Sequence, residues 1–579
     1  MNKGMLIISV AIMFLLYFSS CNSSSSPDKT AISSDPATIA KGEATFTLHC
    51  STCHNFRQGG IGPQLGGLTD SVASGWIRKF IMDPKAIIES GDERARQSFK
   101  KYKVFMPSFT FFKDDEIDGI IAFLNTHKEP GQNMVKGAGK ELSNPIPDTI
   151  MLSNLLVGLK LQTQMPPSRD SGKLPRARIT KLDFEPHSGN SFILDLRGKL
   201  YRLQNNQPVV YMDMAKLKPA FIHEPGLGTG FGSFAFHPEF AKNGLLYTTH
   251  AEATGSGKAD FAYADSIKVS LQWVLSEWKT EQPGAAIFSG KSRELFRANM
   301  VSVSHGVQEI TFNPLAHPGD KDYGMLYIGI GDGGSVEEGY PFLANNRDKV
   351  WGSVLRIDPR GNNSANGQYG IPQDNPFVNG KDTTALGEIY AYGFRNPHRI
   401  TWSRSGKMLV SNIGHGRIES LNLLMPGHDY GWPIREGTFV IDPYGDLNKV
   451  YPLDPNDSIY HITYPVAQYD HEGGWVAISG GYEYTGKAIP QLAGKFLFGD
   501  IASGRMFYIE MADVKLGKQA AIKEWRVSIA GAQKSLKVLS GNDQRVDLHF
   551  GRDARGELYI LTKTDGKVYK IVSASFNEQ

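Results

Sequence analysis

The chain has 579 residues, too many for one ordinary domain, so two or three are expected. Basic and acidic residues nearly balance, 62 against 59 with a net charge of +3, and nothing in the composition points to a nucleic-acid partner. Gly (62) and Tyr (23) are plentiful, which favours short strands and tight turns over long helices.

Residues 1–21 read as a targeting segment. Lys3 supplies the positive region, residues 5–18 an apolar run too short for an ordinary membrane span, and Ser19-Ser20 the small residues before Cys21. This resembles a bacterial lipoprotein signal, which implies that Cys21 is lipidated and the protein is exported, periplasmic or cell-envelope, and membrane-anchored. Plain secretion is the alternative. Residues 22–37, beginning Asn22-Ser23-Ser24-Ser25-Ser26-Pro27, form a flexible tether. Only three cysteines exist. With one for lipid and two for the motif described next, none is left for a disulfide.

Residues 38–130 form a first domain. Helical spacing over 37–49 (Ile39, Ala44, Leu48) leads into Cys50-Ser51-Thr52-Cys53-His54, the c-type haem attachment pattern. Cys50 and Cys53 suit the vinyl thioethers and His54 one axial position on the iron. A glycine-rich wrap (59–65) follows, then a short helix over 76–82. Met106-Pro107 places a thioether where a second axial ligand is wanted, although Met106 alone would read as core. Asp114-Asp115-Glu116 start an acid-capped helix over 117–124. This order resembles the class I cytochrome c family, which implies a small all-α domain with one covalent haem c passing single electrons.

Residues 131–175 read as a linker, inside which 150–161 could pack on a neighbour. From 176 to 575 one signature recurs, as Gly198-Lys199-Leu200-Tyr201, Gly244-Leu245-Leu246-Tyr247, Gly324-Met325-Leu326-Tyr327, Gly556-Glu557-Leu558-Tyr559 and Gly566-Lys567-Val568-Tyr569. Each is a turn glycine before an apolar and aromatic strand start. The architectures that fit are a β-propeller or a multi-sheet sandwich, with long loops at 252–300 and 335–385.

Longer motifs stand in order along this stretch: Gly232–His237, His305-Gly306-Val307-Gln308-Glu309, Gly331-Asp332-Gly333-Gly334, Gly393-Phe394-Arg395-Asn396-Pro397, Asp429-Tyr430-Gly431-Trp432-Pro433 and Gly499-Asp500 to Arg505. Together they resemble the soluble quinoprotein glucose/sorbosone dehydrogenase family. The resemblance implies an all-β six-bladed propeller that binds pyrroloquinoline quinone (PQQ) and Ca2+. It makes His305 the catalytic base, Asp332 the acid that orients it, and Arg395 the fixed charge facing the quinone. Sugar oxidation needs a base, a hydride acceptor and positive charge for the reduced acceptor. An imidazole titrates near neutrality, and a guanidinium is always charged. Read alone, His305 could be structural and Asp332 a turn residue.

By the same resemblance the backbone carbonyls of Gly414 and His415 hold calcium, with Glu419 near that loop. Trp475, Arg505 and Arg545 serve the flat tricarboxylate's face and rim. Three positions depart from the family pattern. His415 and Arg417 make the calcium loop more basic, and Gly228 stands where glucose-oxidising members carry a glutamine that touches substrate.

The expected whole is an exported sugar dehydrogenase that passes electrons to its own haem and then to a respiratory-chain acceptor. The alternative is a non-catalytic carbohydrate-binding propeller fused to an electron-transfer cytochrome.

Overall fold

The computed structural model describes residues 32–50, 53, 54, 56, 62–102, 104–128, 140–147, 150–168, 174–226, 228–380, 382–471 and 476–576. The expected signal segment with Cys21, and Trp475, lie outside the described residues. Among the described residues no helix is long and apolar enough to cross a membrane.

The first domain is helical. Pro36–His49 starts with Asp35, whose carboxylate accepts from Thr38 N at 2.9 Å, and Pro36 sits where no helical N–H is needed. Asp114–Asn125 carries three acids in its first turn, and Glu116 accepts from the Lys113 N–H at 2.8 Å. These two helices cross at Gly42 and Gly119. A Cβ on Gly42 would stand 1.8 Å from the Gly119 carbonyl oxygen, so only glycine permits the crossing. Phe46, Ile77, Ile81, Phe109, Ile117, Ile120 and Leu124 close the core between them.

The second domain is β-rich and propeller-like. Four sheets have four antiparallel strands each. Their first strands are Ile179–Phe184, Phe231–Phe236, Glu309–Phe312 and Pro397–Trp402. A fifth, nine-stranded sheet holds two further meanders, one starting at Tyr482–Glu483 and one at Leu548–Arg552. The six first strands pack side by side. Glu309–Phe312 meets Phe231–Phe236 and Pro397–Trp402, Tyr482–Glu483 meets Pro397–Trp402 and Leu548–Arg552, and Ile179–Phe184 meets Leu548–Arg552. Four of these strands are fully or largely buried, reading as apolar runs with a few paired polar residues.

The strand Met151–Gln164 falls inside the stretch expected to be a linker. It pairs antiparallel with Lys567–Phe576 and parallel with Lys523–Ile529, and so joins the two meanders of the large sheet. Leu155, Val157 and Leu159 alternate inward and are buried, the period of two that a half-buried strand requires. The β domain therefore begins within 131–175.

Candidate active site

In the helical domain Cys50, Cys53, His54 and Met106 stand on the wall of one cavity of about 550 Å³, together with Trp76 and Phe80. His54 Nδ1 lies 2.8 Å from the Pro63 carbonyl, which leaves Nε2 as the nitrogen available to a metal. A Cβ on Gly62 would stand 2.3 Å from the His54 ring, so the glycine lets the imidazole lie there. Burial lowers the His54 pKa and keeps the ring neutral, as an axial ligand must be. Burial pushes the Cys50 thiol up to about 12 and the Cys53 thiol to about 11. An apolar cavity that gathers two thiols, an imidazole and a thioether fits a haem.

In the β domain the residues leading into Ile179–Phe184, Phe231–Phe236 and Glu309–Phe312 touch their neighbours. Arg178 donates to the carbonyls of His223 and Gly226, Thr229 to that of Val303, and Gln308 to that of Gly228. His398 packs on His549 with ring centroids 5.5 Å apart. His305, Arg395 and Arg545 precede Glu309–Phe312, Pro397–Trp402 and Leu548–Arg552, so each stands at the entry to an inner strand.

His305 has φ +50°, a left-handed conformation that costs a non-glycine residue about 1–3 kcal/mol. The Gly333 N–H donates to its carbonyl at 3.3 Å and the Gly331 N–H to that of Gly306 at 3.1 Å. His305 Nδ1 lies 2.7 Å from Asp332 Oδ1. Asp332 is wholly buried, and it accepts from the Gly334 N–H at 2.9 Å and from the indole N–H of Trp432 at 2.8 Å. Its own N–H donates to the Arg395 carbonyl at 2.8 Å, so all three expected residues are stitched together. The free ring nitrogen of His305 is Nε2, which suits proton abstraction.

Arg395 is buried. Its guanidinium donates to the Gly414 carbonyl at 2.5 Å and to Glu337, and lies 5.7 Å from the Trp432 ring. Glu337 also meets His415 Nδ1 at 2.8 Å. Burial alone would raise the Glu337 pKa, but Arg395, the His415 hydrogen bond and the nearby His305 outweigh it and hold the carboxyl well below its ordinary range. Glu337 and Trp432 are site residues that motif reading passed over. Trp432 lay in plain view in Asp429-Tyr430-Gly431-Trp432-Pro433.

The arrangement does not fit calcium on the Gly414 and His415 carbonyls as it stands. Gly414 O is taken by a guanidinium, the His415 ring turns to Glu337, and no cluster of three acidic or imidazole side chains exists among the described residues. Glu419 is buried behind this loop, where His471 and the N–H groups of Gly414 and Ile478 hold it. Burial still raises its pKa.

A flat polyanion fits the rim better. The Arg395 Nε, the His398 Nε2 and both His549 ring nitrogens are buried with no hydrogen-bond partner. Burial, with neighbouring positive charge, lowers Lys563 to about 7. Arg545 pairs with Asp547, and its charge lowers the Cys53 pKa against the larger effect of burial. Lys268 also meets Glu43 of the helical domain at 3.0 Å. Burial also holds His398 and His549 well below their ordinary pKa, so they would meet such an anion as unpartnered ring nitrogens and not as charges. Arg505 follows a turn whose Ile501 and Ala502 carbonyls accept from Leu548 and Val546. It forms a two-pronged pair with Glu524 and lines a separate cavity whose walls include neither His305 nor Arg395. At Gly228 a Cβ would lie 2.2 Å from Gln308 Nε2, so the Gln308 amide fills the space that glycine leaves.

Residues 179–570 match the family model described as Glucose / Sorbosone dehydrogenase, and residues 39–128 match that described as Cytochrome c. The Arabidopsis thaliana HIPL1 protein is 27% identical over 395 residues, covering 60% of this chain and 53% of that protein. Quinoprotein glucose dehydrogenase B of Acinetobacter calcoaceticus is 24% identical over 343 residues, covering 56% and 65%. The chain thus spans between half and two thirds of the length of these two relatives. A crystal structure of a glucose dehydrogenase shares the fold, with a TM-score of 0.50 at 19% identity, covering 71% of this chain and 99% of that one.

Proposed function

From the premise that this chain belongs to the glucose/sorbosone dehydrogenase family and carries a cytochrome c domain, we propose that it oxidises a sugar hydroxyl and exports the electrons through its own haem. The observation that carries the proposal is the His305–Asp332 pair, stitched to a buried Arg395.

A PQQ-type quinone, when bound, supplies the hydride acceptor, and a haem c on Cys50 and Cys53 supplies the single-electron exit. His305 Nε2 takes the hydroxyl proton. Asp332 holds the ring by Nδ1 and stabilises the imidazolium that forms, while Trp432 and Gly334 fix Asp332. Arg395 presents a fixed positive charge, backed by Glu337 and the Gly414 carbonyl. Arg545, with Lys563 and His549 behind it, offers the basic rim that would hold the cofactor's carboxylates. The ring of six first strands supports reading the nine-stranded sheet as two blades and the whole as six. The proposal extends to export and to a lipid anchor at Cys21, with a respiratory-chain protein as the final acceptor.

One observation favours the non-catalytic reading: both terminal nitrogens of Arg395 are already taken, by Gly414 and Glu337. A single experiment decides between them. The mature chain is made with haem maturation, loaded with PQQ and calcium, and screened with aldoses while the haem band is watched. Haem reduction that His305→Ala abolishes, with haem content unchanged, supports the dehydrogenase. No PQQ binding and no reduction by any sugar would end it.

A further inference from the structure

Among the described residues between the two domains, 140–147 are tied to the β domain. The Arg417 guanidinium donates to the carbonyls of Leu142 (3.2 Å) and Ser143 (2.7 Å). The Leu142 N–H donates to the Val450 carbonyl at 2.9 Å, and the Ile146 N–H to Asp470 at 3.3 Å. Lys449 faces Glu141 at 3.8 Å. The Leu142 side chain packs into an apolar cluster with Val336, Leu447, Val450 and Trp432. Trp432 is the residue whose indole holds Asp332. Residues 140–147 are therefore fixed to the β domain beside the cluster that contains Trp432, and are not loose on the surface.

We propose that residues 140–147 are a latch, with Arg417 as its positioning residue, that keeps the haem domain within reach of the active-site rim. The latch rests on the electron-transfer reading above. Chain length gives the scale. At most about 43 Å of chain separates Lys128, at the end of the haem domain, from Lys140. Without the latch the next fixed point is the strand starting at Met151, and the limit becomes about 83 Å. A shorter tether raises the effective concentration of haem at the rim, and a longer one dilutes it. Arg417 suits the task because Nη2 serves the two successive carbonyls while Nη1 donates to the Asn448 carbonyl at 3.4 Å, which joins the segment to the β domain. It also stands in the loop of Gly414, whose carbonyl holds Arg395, so the latch and the site share one support.

The test uses the full chain with haem and PQQ, altered from each side of the latch. Arg417→Ala removes the two donors, and Leu142→Pro removes the N–H bonded to Val450. Two rates are read: sugar-driven haem reduction, and sugar-driven reduction of a small dye that needs no haem. The latch predicts that the ratio of the first to the second falls by about threefold or more in both variants, with Arg417→Lys partly restoring it. An unchanged ratio in either variant overturns it. Hydrogen exchange supplies a readout free of activity. The Leu142 and Ile146 amides exchange slowly in the native chain and fast in Arg417→Ala, and fast exchange in the native chain overturns the latch. If no sugar reduces the haem while those amides stay protected, the electron-transfer reading falls and the attachment stands.

Discussion

Nδ1 of His305 lies 2.7 Å from Oδ1 of Asp332, and that one contact decides which nitrogen can act as a base. With Nδ1 committed, Nε2 carries the lone pair. Asp332→Asn keeps the shape but offers an amide that can stabilise the wrong tautomer and cannot offset the charge of an imidazolium. The turnover number in dye-linked assays should fall about 10²–10⁴-fold with haem content unchanged. A loss within twofold would remove Asp332 from the mechanism.

Trp432 serves the same acid from the other side. Trp432→Phe keeps most of the packing against Val336 and Leu447 but leaves Asp332 Oδ2 buried without its donor. That costs about 1–3 kcal/mol. Turnover and the unfolding midpoint in denaturant should both drop. If only the midpoint moves, Trp432 supports the fold and not the reaction.

Much of this site was legible because it is local. Cys50, Cys53 and His54 lie within five residues, and His305, Asp332 and Arg395 sit inside motifs that run in order along the chain. Glu337 was invisible because its partners, Arg395 and His415, are 58 and 78 residues away, and no spacing rule joins them. The strand Met151–Gln164 shows the opposite case. Its alternation was present, but its partners lie about four hundred residues downstream, so it read as a linker. Arg505 looked available until the structure supplied Glu524.

Deep between the inner strands, Glu309 bridges Lys181 at 2.5 Å and Arg399 at 3.0 Å, all three nearly inaccessible to solvent. Glu309→Gln leaves two buried cations without a counter-charge, and breaking such a pair costs about 3–5 kcal/mol. The β domain should lose that stability in urea, measured by tryptophan fluorescence, while the haem band stays as it was. A loss below about 1 kcal/mol would mean that water reaches the triad and screens it.

The histidines of the rim give the β domain a pH dependence of known sign. Burial, reinforced by Arg399 and Lys563, holds His398 well below its ordinary pKa. Burial, reinforced by Lys563, His398, Arg399 and Arg545, does the same to His549. Below about pH 6.5 the unfolded chain takes up protons at these two positions and the folded chain does not. Stability must then fall as pH falls, by up to about 1.4 kcal/mol per pH unit for each histidine. Above that pH both states are neutral and the slope vanishes. Gln308, which hydrogen-bonds His398, is neutral and offers no counter-charge to a protonated ring. His549→Phe removes one titrating ring together with two buried nitrogens that have no partner. Urea unfolding of the ligand-free chain from pH 8 to pH 5, followed by tryptophan fluorescence, should show a shallower loss in His549→Phe than in the native chain. At pH 8 the variant should be no less stable than the native chain. Parallel curves would show that His549 is protonated in the folded state and already faces an acid or water.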